Sequence, residues 1–128
     1  MTERELALRR EIFEAFAATG APPEVGDHET LRSLAGRHVL VLDGAGSIVM
    51  AHPFAAPGAK TRVESGGRTW WGNCAWDGLG IVAALGLHEA TVESDGVQLR
   101  VSDGEPLDDA VFHVEVPAAR WWDDIAHT

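Results

Sequence analysis

The stretch Trp70-Trp71-Gly72-Asn73-Cys74-Ala75-Trp76-Asp77-Gly78-Leu79-Gly80 holds the residues best suited to chemistry in this 128-residue chain. It contains the only cysteine. Asn73 reads as an N-cap and the apolar run Leu79–Leu85 follows, so Cys74 falls in the first turn of a helix. Unpaired backbone N–H groups and the positive end of the helix dipole favour a thiolate there. Asp77 lies three residues on, which puts thiol and carboxyl on one helix face. Such a pair can divide a reaction, the sulfur attacking or binding and the carboxyl giving or taking the proton. A buried, inert cysteine beside a capping aspartate has the same spacing, and spacing alone does not separate the two.

Other chemistry-bearing residues surround this pair. An apolar, aromatic pocket over Cys74 built from Phe54, Trp71 and Trp76 would exclude water and suit a hydrophobic organic group; core packing is the competing role for these rings. Strand alternation would send one of Trp70 and Trp71 inward and the other outward. His52 and the late His113 could join Cys74 and Asp77 in a mixed metal site, although no standard ligand spacing is present. His28, His88 and His127 read as surface positions. Lys60 is the sole lysine, in a Pro/Gly-flanked stretch that does nothing to desolvate it, so Schiff-base chemistry is not expected. Asp43-Gly44-Ala45-Gly46 lacks the strand-to-helix context of a phosphate loop.

The elements that must position these groups can be read in outline. Leu6, Leu8, Ile12, Phe13 and Phe16 mark a helix over 3–18, stopped at Thr19-Gly20 and followed by the Ala21-Pro22-Pro23 connector. A second helix covers 28–36, with Asp27 as cap and Leu31 and Leu34 inward. Strands over 38–42 and 47–51 flank the turn at 43–46. Residues 53–60 read as a loop, and strands 61–64 and 68–71 flank Ser65-Gly66-Gly67. The helix over 73–85, with Gly86 at its C-cap, is apolar nearly all round and so reads as buried and central. Strands over 88–93, 97–102 and 111–116 follow, then a helical segment over 118–125. The fold class is α+β: residues 1–52 form a winged-helix-like unit of helices and a hairpin, and residues 53–128 form a small mixed or antiparallel sheet packed on the central helix.

Charge narrows the function. The net charge is −10, with 20 acidic against 10 basic side chains. Residues 1–68 carry 8 basic and 9 acidic groups and residues 69–128 carry 2 and 11, so the second half repels nucleic acid and anionic membrane. No apolar run approaches the ~20 residues that span a bilayer. The charged N-terminal stretch is unlike a signal peptide, and a lone cysteine makes no internal disulfide; a cytoplasmic location is the expectation.

The run Met50-Ala51-His52-Pro53-Phe54-Ala55, then Thr61-Arg62-Val63, then Gly67-Arg68-Thr69 leading into the Trp70–Ile81 stretch resembles the alkylmercury (organomercurial) lyase family. In that family a Pro-Phe loop and a short hairpin precede a Cys-Ala-x-Asp helix start. The resemblance extends back to Val41-Leu42-Asp43 and forward to Val116-Pro117-Ala118-Ala119-Arg120-Trp121-Trp122-Asp123-Asp124-Ile125. It therefore covers most of the chain from about residue 38 and implies an alkylmercury lyase-like fold.

It also implies protonolysis of a carbon–mercury bond, with Cys74 matching the family's first cysteine and Asp77 the aspartate that relays the proton. No cofactor is required; an organometal or other small molecule is the substrate, and mercury or another soft ion would sit at Cys74. The family's second cysteine lies on a strand that would begin about where this sequence ends, and no second cysteine is present. Soft metals prefer sulfur, so one thiolate captures an organomercurial but lacks the sulfur that helps expel the carbon and hold the ion. External thiol, a neighbouring subunit or a substitute ligand would have to fill that place, and a homodimer would cover the exposed sheet edge. Three readings stand side by side. The first is a lyase, with its own or a diverged carbon–heteroatom substrate. The second is a non-catalytic heavy-metal or small-ligand binding or sensing protein. The third is a winged-helix-like regulator, which the lack of a basic recognition helix disfavours.

Overall fold

The computed structural model describes residues 1–108. Thr2 opens α1 (Glu3–Thr19) with a capping box, its hydroxyl accepting from the Glu5 N–H while the Glu5 carboxylate accepts from the Thr2 N–H. Leu8, Ile12 and Phe16, four residues apart, form the buried stripe of this helix. Helix α2 (His28–Gly36) is capped by Asp27, which accepts from the Thr30 N–H, and it buries Leu31 and Leu34. The ion pairs Arg4–Asp27 and Arg37–Glu5 join the two helices.

A three-stranded antiparallel sheet follows, in the order β1 (Val41–Leu42), β2 (Ile48–Ala51), β3 (Phe54–Ala55). The Asp43 carboxylate accepts from the N–H groups of Ala45 and Ser47 and closes the β1–β2 turn. The strand expected over 38–42 is shorter, because the N–H groups of His38 and Val39 still bond back to α2 carbonyls and His38 adopts a φ of 60°. Strand β3 interrupts the loop expected over 53–60. It pairs with β2 across His52 and Pro53, whose peptide bond is cis. The three-stranded sheet thus straddles the expected unit boundary between residues 52 and 53.

The larger sheet has the order β5-β4-β6-β7-β8, every neighbour antiparallel: β4 (Thr61–Ser65), β5 (Arg68–Gly72), β6 (Glu89–Ser94), β7 (Val97–Ser102) and β8 (Glu105–Pro106). Alternate residues Val63, Trp70, Val92, Leu99 and Val101 point into the core. Thr61 and Ser94, opposite each other in the ladder, satisfy their buried hydroxyls with a 2.8 Å hydrogen bond. Helix α3 (Ala75–Leu85) packs against β4, β5 and β6. One apolar cluster runs from Leu8, Ile12 and Phe16 through Phe54 and Trp70 to Ile81, Val92 and Leu99. The class is α+β, as expected. The segments expected over 111–116 and 118–125, with His113, Trp121, Trp122 and His127, lie outside the described residues. Among the described residues no helix is long and apolar enough to cross a membrane.

Two contacts tie the N-terminal helices to the hairpin that leads into the cysteine. Trp70 Nε1 donates to the Ala17 carbonyl at 2.9 Å. Arg68 donates to the carbonyls of Ala17 and Ala18, each at 2.9 Å, and its guanidinium lies 4.8 Å from the Trp70 ring centroid. These bonds satisfy carbonyls left open at the end of α1, and they place β5, and with it the start of α3, relative to the N-terminal core.

Candidate active site

Strand β5 ends at Gly72 and α3 begins at Ala75, so the connecting Asn73 and Cys74 are held between two fixed elements. Cys74, rather than Asn73, is the N-cap residue, with extended backbone. Two glycines permit the tight packing here. A Cβ on Gly78 would meet Val92 Cγ1 at 2.6 Å and Thr61 Cγ2 at 2.9 Å, so α3 lies directly on the sheet. A Cβ on Gly72 would meet Asp77 Cβ at 2.9 Å and the Pro53 carbonyl oxygen at 3.3 Å. The first turn of α3, the end of β5 and the His52-Pro53 turn therefore converge on one spot.

Asp77 sits at that convergence with its side chain 7% exposed. Its Oδ2 accepts the Asn73 backbone N–H at 3.1 Å, and its Oδ1 lies 2.9 Å from His52 Nδ1. The hydrogen bond to Asp77 is the main reason the His52 pKa is raised, against a smaller opposing effect of burial. His52 itself is 69% exposed and links the buried carboxyl to solvent.

Cys74 is a free, half-buried thiol. Burial pushes its pKa up, and the Asp77 carboxylate adds to the rise; the N–H groups of Asp77 and Trp76 favour the anion but do not prevail. This corrects the thiolate expected from the helix N-terminus. The amides act as expected, and desolvation of the sulfur outweighs them.

The other expected site residues separate. Phe54 is 4% exposed, stacks on Phe16 with centroids 5.4 Å apart and meets Phe13 edge-on, so among the described residues it packs in the N-terminal core. Of the adjacent pair, Trp70 is buried and Trp71 half-buried. Trp76 is 57% exposed and lines a groove of about 900 Å³ with Leu79, Val82, Ala83, Leu99 and Val101. Helix α3 is accordingly not buried all round, since Trp76, Ala83 and Ala84 are exposed. Among the described residues no three His, Cys, Asp or Glu side chains are grouped so as to hold a metal ion. Both Asp77 oxygens are engaged, one by the Asn73 N–H and one at His52 Nδ1, and His113, the fourth member of the expected mixed site, lies outside the described residues. His28 and His88 are exposed or nearly so, His88 paired with Asp103. Sequence reasoning missed the Asn73 amide as a partner of Asp77; the i, i+4 spacing was the available signal.

The family model described as MerB, alkylmercury lyase, matches residues 54–128, more than half of the chain and the part that carries Cys74 and Asp77. The chain belongs to the alkylmercury lyase family. Among solved structures, it is similar to the crystal structure of the mercury-bound form of MerB2, with a TM-score of 0.63 and 20% sequence identity. The likeness covers 84% of this chain and 60% of that one, and at this identity it is a likeness of fold. This alkylmercury lyase-family chain thus spans less than two thirds of that relative. No curated protein matches it.

Proposed function

We infer that this family member cleaves carbon–mercury bonds by protonolysis, with Cys74 capturing the organomercurial and Asp77 relaying the proton. The observation that carries the reading is the pairing of a half-buried thiol with a buried, hydrogen-bonded carboxyl at the start of α3, within the matched region. The chemistry balances in two steps. The Cys74 S–H displaces an anionic ligand from R–Hg–X to give Cys74 S–Hg–R, while the thiol proton passes to the Asp77 carboxylate. Asp77 then delivers that proton to the mercury-bound carbon as the C–Hg bond breaks, which releases R–H and leaves mercury(II) on the sulfur. A thiol kept protonated by burial suits this sequence, because it brings the proton the carbon needs.

A single sulfur holds mercury(II) less firmly than paired thiolates do, so excess external thiol draws the product off Cys74. Intact-mass measurement after addition of phenylmercury tests the capture step: a one-to-one adduct is expected on the unaltered chain and on Asp77→Ala, and none on Cys74→Ser. An adduct that persists without any hydrocarbon release in excess thiol would instead favour a sequestering protein.

A further inference from the structure

We propose that His52 is the positioning residue for Asp77: its Nδ1 fixes the rotation of the carboxyl group that the proposed protonolysis uses. The inference rests on that reading of the site and extends it to a residue outside the Cys-x-x-Asp motif. The χ2 torsion of an aspartate is broad and roughly two-fold, so one hydrogen bond leaves a carboxyl free to swing. Asp77 has a bond on each oxygen, from the Asn73 N–H on one side and at His52 Nδ1 on the other. The two partners come from different parts of the fold, the β5–α3 connection and the β2–β3 turn.

The turn that presents the imidazole is itself wedged in place. The Pro53 carbonyl oxygen lies against Gly72, and the Pro53 ring lies against Gly80, where an added Cβ would stand 3.4 Å from Pro53 Cβ. Strand β3, directly after this turn, packs against β5, and Phe54 anchors it on Phe16. A rigid platform therefore holds His52 over the first turn of α3. A reacting group must be held within a fraction of an ångström, and a misplacement of about 1 Å costs on the order of 100-fold in rate.

The test compares His52→Leu and His52→Asn in the full chain. Asparagine carries an N–H donor at the position of Nδ1, and leucine fills the space without one. Hydrocarbon release from phenylmercury in excess thiol is measured beside adduct formation on Cys74. Loss of positioning lowers kcat of His52→Leu by roughly 10- to 100-fold, while His52→Asn stays within about threefold of the unaltered chain. Capture by Cys74 is unchanged in both variants, a split that a general loss of structure would not produce. Undiminished release by His52→Leu overturns the inference and leaves the lyase reading standing. Equal loss in both variants also overturns it, since the Nδ1 donor would then not be the feature that matters. No release by the unaltered chain contradicts the lyase reading, and the inference falls with it.

Discussion

Asp77 Oδ2 accepts the backbone N–H of Asn73 at 3.1 Å, closing the connection between β5 and α3 around Cys74. The carboxyl and the thiol are thereby held in one electrostatic unit, and each proton change on one is felt by the other.

The first consequence concerns the reactivity of the thiol. Burial, reinforced by the Asp77 charge, raises the Cys74 pKa above its ordinary value, so the thiolate fraction at neutral pH is small. The rate of iodoacetamide alkylation should keep rising through pH 9. Asp77→Asn removes the charge but not the burial, and should move the midpoint part of the way down. A midpoint below the ordinary cysteine range, or one that Asp77→Asn raises, would contradict this account.

The packing of α3 gives a stability prediction whose sign depends on two opposing magnitudes. Alanine is preferred to glycine in a helix interior by roughly 1 kcal/mol. At Gly78, however, the added methyl would sit 2.6 Å from Val92 Cγ1 and 2.9 Å from Thr61 Cγ2. Both neighbours are fully buried and β-branched, and stiff at χ1. Overpacking of this kind costs about 1–3 kcal/mol. Gly78→Ala should therefore destabilise the chain in urea unfolding despite its better helix propensity, whereas a gain would show that the helix can lift off the sheet cheaply.

Asp27 gives a pH-dependent stability. Its hydrogen bonds from Thr30, with the Arg4 guanidinium beside it, hold its pKa down at about 2. The folded value lies below the unfolded one of roughly 3.9, so the stabilisation is complete above that pH and is lost as pH falls through about 2. Asparagine keeps a side-chain oxygen for the cap but has no charge to lose. Thermal melts should show Asp27→Asn less stable than the unaltered chain at pH 7, with the gap closing as pH falls toward 2. A gap that stays constant with pH would contradict the linkage.

Local patterns made much of this legible from residues alone. The i, i+4 stripe of Leu8, Ile12 and Phe16, the Asp27 cap, the Gly66-Gly67 turn and the Cys-Ala-Trp-Asp helix start all express their structure within a few positions of sequence. The two-residue strand β3 was not legible, because two residues carry no periodicity and its partner, β2, lies across a proline-containing turn. The direction of the Cys74 pKa was misread for a related reason: helix amides are visible in sequence, and the desolvation that outweighs them is a property of the packed fold. His52 was recognised as a possible ligand, but its bond to Asp77 joins residues 25 positions apart and needed the three-dimensional structure.

We infer that the Cys74–Asp77 pair breaks a carbon–mercury bond, and benzene release from phenylmercury by the purified chain decides the matter. With excess external thiol present, gas chromatography should show multiple turnovers for the unaltered chain. Cys74→Ser should abolish both capture and release, and Asp77→Ala should abolish release while the phenylmercury adduct on Cys74 still forms. Benzene release that survives Asp77→Ala, or its absence from the unaltered chain while the adduct accumulates, would contradict the account.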